Sequence, residues 1–205
     1  MKRTFDILVS FVGLVALFPV LVLVAVAVKL DSPGPVIFKQ RRVGRGFRPF
    51  LIYKFRTMIN GAPARGPSIT VGHDPRITRV GKLLRMTKTD ELPQLVNVLK
   101  GDMTFVGPRP EVPHYVELFR PQYEEILKMR PGITDLASLK YRDEAAILEG
   151  FEDPEQEYIT RVLPEKISLA QEYIARSSLL FDLRVLFQTL LKLFESRVSR
   201  ERIRP

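Results

Sequence analysis

From Ile7 to Val28 the chain carries no charged residue, and Leu, Val, Ala and Phe dominate the run. Lys2, Arg3 and Asp6 precede it and Lys29 follows. As one helix rising 1.5 Å per residue it reaches about 33 Å, enough to cross the hydrocarbon of a bilayer. It is longer than the apolar core of a signal peptide, and no small-x-small cleavage site precedes the charged stretch, so it reads as a retained membrane segment. Pro19 lies near its middle, where proline removes a backbone hydrogen bond and crowds the preceding turn. Two arrangements fit. One is a kinked helix that spans; the other is a re-entrant hairpin whose two arms each reach roughly 17 Å and return to one face. The far flank offers Lys29, Lys39, Arg41, Arg42, Arg45 and Arg48, so both flanks are basic and a single crossing leaves one on the wrong side. The heavier C-terminal flank places residues 31–205 in the cytoplasm in either arrangement, leaving 1–30 as the membrane part.

A chain of 205 residues has room for one compact domain beside such a segment. Its formal net charge of +9 suits anionic partners: phospholipid heads, nucleotides, lipid phosphates or nucleic acid. With no cysteine there is no disulfide or thiolate metal site, and His73 and His114 are too few for a histidine cage. A divalent ion would rest on carboxylates and substrate phosphates, which suits Mg2+. Beyond the turn cluster Asp31-Ser32-Pro33-Gly34-Pro35, residues 36–38 and 50–53 predict short strands around a basic loop from Lys39 to Arg48. Residues 59–76 predict an exposed loop, and helices are predicted at 78–85, 89–100, 111–128, 142–150, 154–175 and 179–196. The fold expected is mostly α with a minor β component. In the last helix Leu179, Leu180, Leu183, Leu186, Phe187, Leu190, Leu191 and Phe194 recur at helical spacing, flanked by Arg184, Lys192 and Arg197. Such a stripe packs on a core or lies in a membrane interface; the segment upstream favours an interfacial amphipathic helix.

The stretch Thr89-Asp90-Glu91-Leu92-Pro93-Gln94-Leu95 is the most informative. Thr89 can cap a helix, Pro93 is tolerated in its first turn, and Leu92, Leu95, Val96 and Leu99 would form the buried stripe. Asp90 and Glu91 then sit where the helix dipole favours negative charge. Dipole complementation alone would explain an isolated acidic pair. Here Arg85 and Lys88 precede it, and Gly107-Pro108-Arg109-Pro110 follows, with prolines stiffening the backbone around an arginine suited to phosphate. A carboxylate kept ionised among cations can attack phosphorus, and its neighbour can hold Mg2+.

These residues resemble the bacterial sugar transferase family, the small monotopic phosphoglycosyl transferases, over nearly the whole chain. The resemblance rests on Lys2-Arg3-x-x-Asp6, Asp31-Ser32-Pro33-Gly34-Pro35-Val36-x-Phe38-x-Gln40-x-Arg42-x-Gly44 and Tyr53-Lys54-Phe55-Arg56-Thr57-Met58. It continues through Thr89 to Leu95, Asn97 to Met103, Val106 to Pro110, and Arg130-Pro131-Gly132-Ile133-Thr134. It implies a re-entrant membrane helix kinked at Pro19 and a cytoplasmic catalytic domain on the bacterial inner membrane. It also implies transfer of a sugar-1-phosphate from a UDP-sugar to undecaprenyl phosphate, releasing UMP through a covalent phosphosugar-enzyme intermediate. Carried over, Asp90 is the nucleophile, Glu91 the Mg2+ ligand and Arg109 a phosphate contact. Arg85, Lys54, Arg56 and Arg42 are further phosphate-binding candidates, and Thr134 and Arg142 belong to the nucleotide-sugar region. Downstream glycosyltransferases are implied partners, and a homodimer is one arrangement the sequence leaves open. The chain departs from the family in two places. Phe18 stands where some members place serine before the kink proline. Residues 132–142 do not follow the Gly-Ile-Thr-Gly-x-Ala-Gln-x-x-Gly-Arg pattern of many members.

Two other readings of the residues differ in class. A membrane-bound magnesium phosphohydrolase would use the same acidic pair. A membrane-tethered nucleic-acid binder would use residues 39–56, with seven Lys or Arg and no acid, but leaves the acidic pair and Arg109 unexplained.

Overall fold

In the computed structural model, which describes residues 2–62, 69–72, 74–142 and 144–201 with side chains to residue 192, the apolar run forms two helices. α1 (Lys2–Ala16) and α2 (Phe18–Asp31) are bent by 63° across Leu17. Pro19 is the second residue of α2, where its missing N–H has no helical partner to lose and its fixed φ suits the first turn. The penalty expected of an interior proline does not arise, because the chain starts a new helix there. Among the described residues no single helix is long and apolar enough to cross a membrane; the bent pair passes that test only together. Leu8, Phe11, Val12, Val15, Phe18 and Leu23 on the pair are each more than half exposed.

Both ends of the pair are fastened to the same body. Lys2 Nζ donates to the Val106 carbonyl and the Tyr173 hydroxyl, each at 2.9 Å, and pairs with Asp182 at 2.7 Å. Arg3 donates to the carbonyls of Val98 and Leu99, and buried Asp6 accepts from Thr104 Oγ1 and the Phe105 N–H. At the other end Arg56 donates to the carbonyls of Val28 and Ser32, and Asp31 accepts from the Val80 N–H at 3.0 Å. The flanking charges are anchors.

β1 (Ile37–Val43) and β2 (Pro49–Phe55) form an antiparallel hairpin, in register from Ile37 opposite Phe55 to Val43 opposite Pro49. Lys39, Arg41 and Arg42, expected in a loop, lie within β1. Cross-strand pairing lengthens a segment whose apolar content alone marks only its start. β3 (Thr104–Val106) and β4 (Gly132–Thr134) pair in parallel, and neither was expected: three residues carry no readable alternation. Their approach needs glycine, since a Cβ on Gly132 would stand 2.2 Å from the Gly107 nitrogen.

The remaining helices are α3 (Arg79–Thr87), α4 (Gln94–Lys100), α5 (Pro113–Leu118), α6 (Arg120–Ile126), α7 (Leu136–Lys140), α8 (Glu144–Leu148), α9 (Pro154–Glu157), α10 (Leu163–Arg176) and α11 (Leu179–Glu201). The helix expected at 111–128 is two, broken at Phe119, and that at 154–175 is α9, a π turn at Tyr158–Val162 and α10. Tyr115, Tyr123, Ile126, Tyr158, Leu163 and Ile167 fill the main core. α11 buries Asp182 and Val185, while Leu180 and Phe187 are 80% and 62% exposed, so one side packs and the other is free. The ends of the 59–76 segment are less exposed than expected: Ala62, Ile69 and Arg76 are buried, and Asp74 pairs with Arg76 at 2.6 Å. The rest of that loop, His73, and the side chains of Phe194 and Arg197 lie outside the described residues. The fold is mostly helical with two small sheets, as expected.

Candidate active site

α3 ends at Lys88, which takes the left-handed conformation (φ 56°) and returns its N–H to the carbonyls of Arg85 and Leu84. The chain then re-enters as a tight 3-10 turn, Thr89–Glu91, that carries both acids. This corrects the single helix expected from 89. Thr89 caps nothing and meets Thr87 Oγ1 at 2.7 Å instead, while α4 begins only after Pro93. The bonds from Glu91 to Lys88, Leu92 to Thr89 and Val96 to Pro93 close tighter turns, because Pro93 has no N–H to enter an α-helical ladder. The buried face of α4 is Gln94, Leu95, Asn97 and Val98; Val96, expected inside, is exposed. Asn97 is affordable there because it accepts from the Tyr53 N–H at 3.0 Å and donates to the Leu51 carbonyl at 2.7 Å, stitching α4 to β2.

Three segments converge on the acids. β2 supplies Lys54, whose Nζ lies 2.9 Å from Glu91 Oε1. The segment after β3 supplies Arg109, which grips both oxygens of Glu91 and also donates to the Ile133 carbonyl at 3.1 Å. The Arg109 backbone N–H donates to Asp135, which also caps α7, so the arginine is held at both ends. α3 supplies Arg85, whose Nε donates to Thr57 Oγ1 at 2.8 Å and whose charge acts on Asp90. Lys88 acts on Asp90 as well. Two carboxylates thus stand among four cations, Lys54, Arg85, Lys88 and Arg109, an excess of two positive charges that suits a phosphate or diphosphate.

The acids differ. Burial alone would raise Glu91, but the charges and hydrogen bonds of Arg109 and Lys54 overrule it and hold its carboxyl well below the usual range. For Asp90 burial wins: its carboxyl is pushed up despite Lys54, Lys88 and Arg85. Its Oδ1 is sealed from solvent and, among the described residues, has no hydrogen-bond partner.

The other predicted residues lie apart from the acids. Arg42 binds Glu111 at 2.8 Å, the Pro110 carbonyl and Gln40, bracing the Arg109 loop from β1. Arg56 is buried against the end of α2, tying β2 to the apolar pair. Thr134 meets Thr189 of α11 at 2.8 Å, and Arg142 donates to the Lys192 carbonyl while its own carbonyl accepts from Lys88 at 3.2 Å. The cations that a nucleic-acid reading draws from 39–56 are therefore partly spent inside the fold. Glu111 was missed by sequence reading: partly buried, it accepts from Arg42, Tyr158 and the Val112 N–H, and its position just after the Arg109 motif was the available signal.

Among the described residues no group of three His, Asp or Glu could cage a metal. Both oxygens of Glu91 already accept from cations. An Mg2+ here would have to take most of its ligands from substrate phosphates, with Glu91 as its one carboxylate, shared with Lys54 and Arg109.

Residues 1–196 match the family model described as bacterial sugar transferase, and the chain belongs to that family. It is 37% identical over 203 residues to the UDP-glucose:undecaprenyl-phosphate glucose-1-phosphate transferase of Escherichia coli K12, covering 97% of this chain and 41% of that one. It is 41% identical to the exopolysaccharide production protein PSS of Rhizobium leguminosarum bv. phaseoli, covering 92% of each. It is 40% identical to the UDP-N-acetylgalactosamine-undecaprenyl-phosphate N-acetylgalactosaminephosphotransferase of Aeromonas hydrophila, over 92% of this chain and 42% of the relative. The chain thus spans less than half of two of these proteins and nearly all of the third.

Proposed function

We propose that the chain is a phosphoglycosyl transferase that moves a sugar-1-phosphate from a UDP-sugar to undecaprenyl phosphate, opening the assembly of a surface polysaccharide or other glycan. The observation that carries this reading is Asp90, a half-sealed carboxylate set among Lys54, Arg85 and Lys88 beside the Lys54–Glu91–Arg109 cluster. The names of the relatives supply the substrate class, with glucose in one and N-acetylgalactosamine in another. In the first step an Asp90 oxygen attacks the β-phosphorus. The bond from that phosphorus to the oxygen bridging the α-phosphorus breaks, and UMP leaves with the electron pair. In the second step a phosphate oxygen of the lipid attacks the same phosphorus, the bond to Asp90 breaks, and the carboxylate is restored. Neither step requires a proton. Arg109 and Lys54 hold the phosphate oxygens, and Arg85 and Lys88 keep Asp90 ionised when it must attack. Glu91 would hold an Mg2+ together with the substrate's phosphates, and such an ion would supply neutralisation of the diphosphate and its leaving group.

The apolar pair is a re-entrant membrane helix in this reading, with the domain on the cytoplasmic face. Its support is that both ends are bonded to the same body, so neither can lie across a bilayer from the other. Single cysteines near residues 2 and 32, probed in intact cells with a membrane-impermeant thiol reagent, should both be protected; labelling of residue 2 from outside sinks this topology. The activity is tested by incubating UDP-sugars with undecaprenyl phosphate and Mg2+ and measuring UMP. Release that requires the lipid and disappears in Asp90→Asn is expected. Lipid-independent hydrolysis would instead mark a phosphohydrolase, and near-normal release by Asp90→Asn would remove Asp90 as nucleophile.

A further inference from the structure

Gln94 is fully buried, at 0% exposure, at the start of α4. Both its Oε1 and its Nε2 are sealed from solvent, and among the described residues neither has a hydrogen-bond partner. Buried amides are costly when unpaired, and the fold satisfies such a group one turn further on. Asn97, equally buried, gives its Nδ2 to the Leu51 carbonyl and to Asp102 and takes the Tyr53 N–H on its Oδ1. Gln94 is therefore an exception, and packing does not call for its polar atoms.

The matching exception lies four residues earlier. Asp90 Oδ1 is a sealed acceptor without a donor, and Gln94 Nε2 is a sealed donor without an acceptor. Leu92 and Pro93, between them, keep right-handed helical dihedrals. Residues four apart on such a backbone are surface neighbours, with Cβ atoms about 5–6 Å apart, well within reach of a glutamine. The other sealed and unpartnered side-chain atoms among the described residues belong to Arg56, whose remaining bonds go to the end of α2.

We propose that Gln94 is the positioning residue of the nucleophile: during turnover its amide N–H takes Asp90 Oδ1, which leaves Oδ2 aimed at phosphorus. Oδ2 is not among the sealed atoms, so the oxygen left free is the one that substrate can approach. A carboxylate rotates about its Cβ–Cγ bond and offers two equivalent oxygens; fixing one removes that freedom before the attack. The proposal rests on Asp90 being the nucleophile.

The test is Gln94→Met, which keeps the unbranched shape and removes the amide. Expected together are a thermal midpoint equal to or above that of the wild type, a UDP-sugar KM changed by less than about threefold, and kcat lowered about a hundredfold, as for loss of one preorganised donor. A fall in kcat at unchanged KM and unchanged midpoint is what a packing role would not produce. Wild-type kcat, or a fall in kcat that tracks a lowered midpoint, overturns the proposal. Should Gln94→Met fail to fold, Gln94→Leu decides. It fills the site without a polar atom, so a wild-type rate in it overturns the proposal and a loss of about a hundredfold at unchanged KM supports it. Wild-type protein and Asp90→Asn are run beside both. If wild type transfers and Asp90→Asn is dead, the Gln94 variants alone decide. If Asp90→Asn retains transfer, the nucleophile assignment has failed, and this inference falls with it.

Discussion

Glu91→Gln separates two roles for one residue, a metal ligand and the counter-charge of a buried cation pair. Lys54, Glu91 and Arg109 together carry a net charge of +1, and glutamine makes it +2. Their side chains are 20%, 14% and 33% exposed, so water screens the change only in part. Removing one partner of a buried ion pair costs about 3–5 kcal/mol, and partial exposure places this site near the lower end, about 3 kcal/mol. For a chain of this size that corresponds to a fall in thermal midpoint of about 6–12 °C. The measurement is thermal unfolding of purified protein with EDTA and without substrate, where a residue serving only as a metal ligand would cost nothing. Because the folded-state value of Glu91 is depressed, its stabilisation is fully present above the unfolded pKa of about 4.3 and is lost as pH falls towards the folded value. The gap between wild type and variant should therefore be constant at neutral pH and narrow below about pH 4. A UDP-sugar should raise the midpoint of Glu91→Gln more than that of the wild type, since its phosphates replace the missing charge. Lys54→Met added to Glu91→Gln should recover part of the loss. A midpoint for Glu91→Gln within about 2 °C of wild type in EDTA would refute the electrostatic argument.

Arg109→Lys keeps the charge but loses the planar fork that spans both oxygens of Glu91, so turnover should fall about a hundredfold, measured as UMP release. Gly132→Ala drives a Cβ into the backbone of Gly107 and should cost about 3 kcal/mol, read as a lower urea midpoint, with a near-normal midpoint contradicting the close approach. Burial raises the Asp90 carboxyl, so the acid limb of kcat/KM should lie above the ordinary aspartate value of about 3.9. In Arg85→Met, with one nearby cation removed, that limb should move further up.

The sequence was most legible where one kind of physics acts locally. The apolar run, the turn after it, the end of α4 at Lys100 and the acid pair could each be placed from residues in contact along the chain. It was least legible where distant segments decide the outcome. Thr89 has the chemistry of a cap, yet Pro93 four residues on breaks the ladder it would have capped. β3 and β4 are strands only because Gly107 and Gly132 let two backbones meet across a long stretch of sequence. Of the basic residues, Lys54 and Arg109 reach the acid pair, whereas Arg42 and Arg56 turn to Glu111 and the end of α2. Strand alternation does not separate these cases. Lys54 and Arg56 share one face of the β2 segment, and what divides them is which neighbour covers that face. Nothing in the sequence separates Gln94 from other polar helix residues, and only its complete burial marks it out.

The anchors of the apolar pair bear on the chemistry because they attach to the elements that carry the site. Asp6 is bonded to β3, whose end leads into the segment holding Arg109. Arg3 is bonded to the last carbonyls of α4, whose first residue follows the acid pair by three positions. Arg56 is bonded to the end of α2 from a position two residues beyond Lys54. The acid pair, Arg109 and Lys54 are each referred, through one short connection, to one end or the other of the same bent pair. With that pair seated in a bilayer as proposed, the depth of its bend and the height of Asp90 above the lipid phosphates become a single coordinate. A tether through a flexible linker would leave those two quantities independent. An enzyme whose acceptor phosphate is fixed at headgroup level by its own lipid tail needs them coupled, and charged side chains hydrogen-bonded to backbone carbonyls and N–H groups supply that coupling with little freedom to slip.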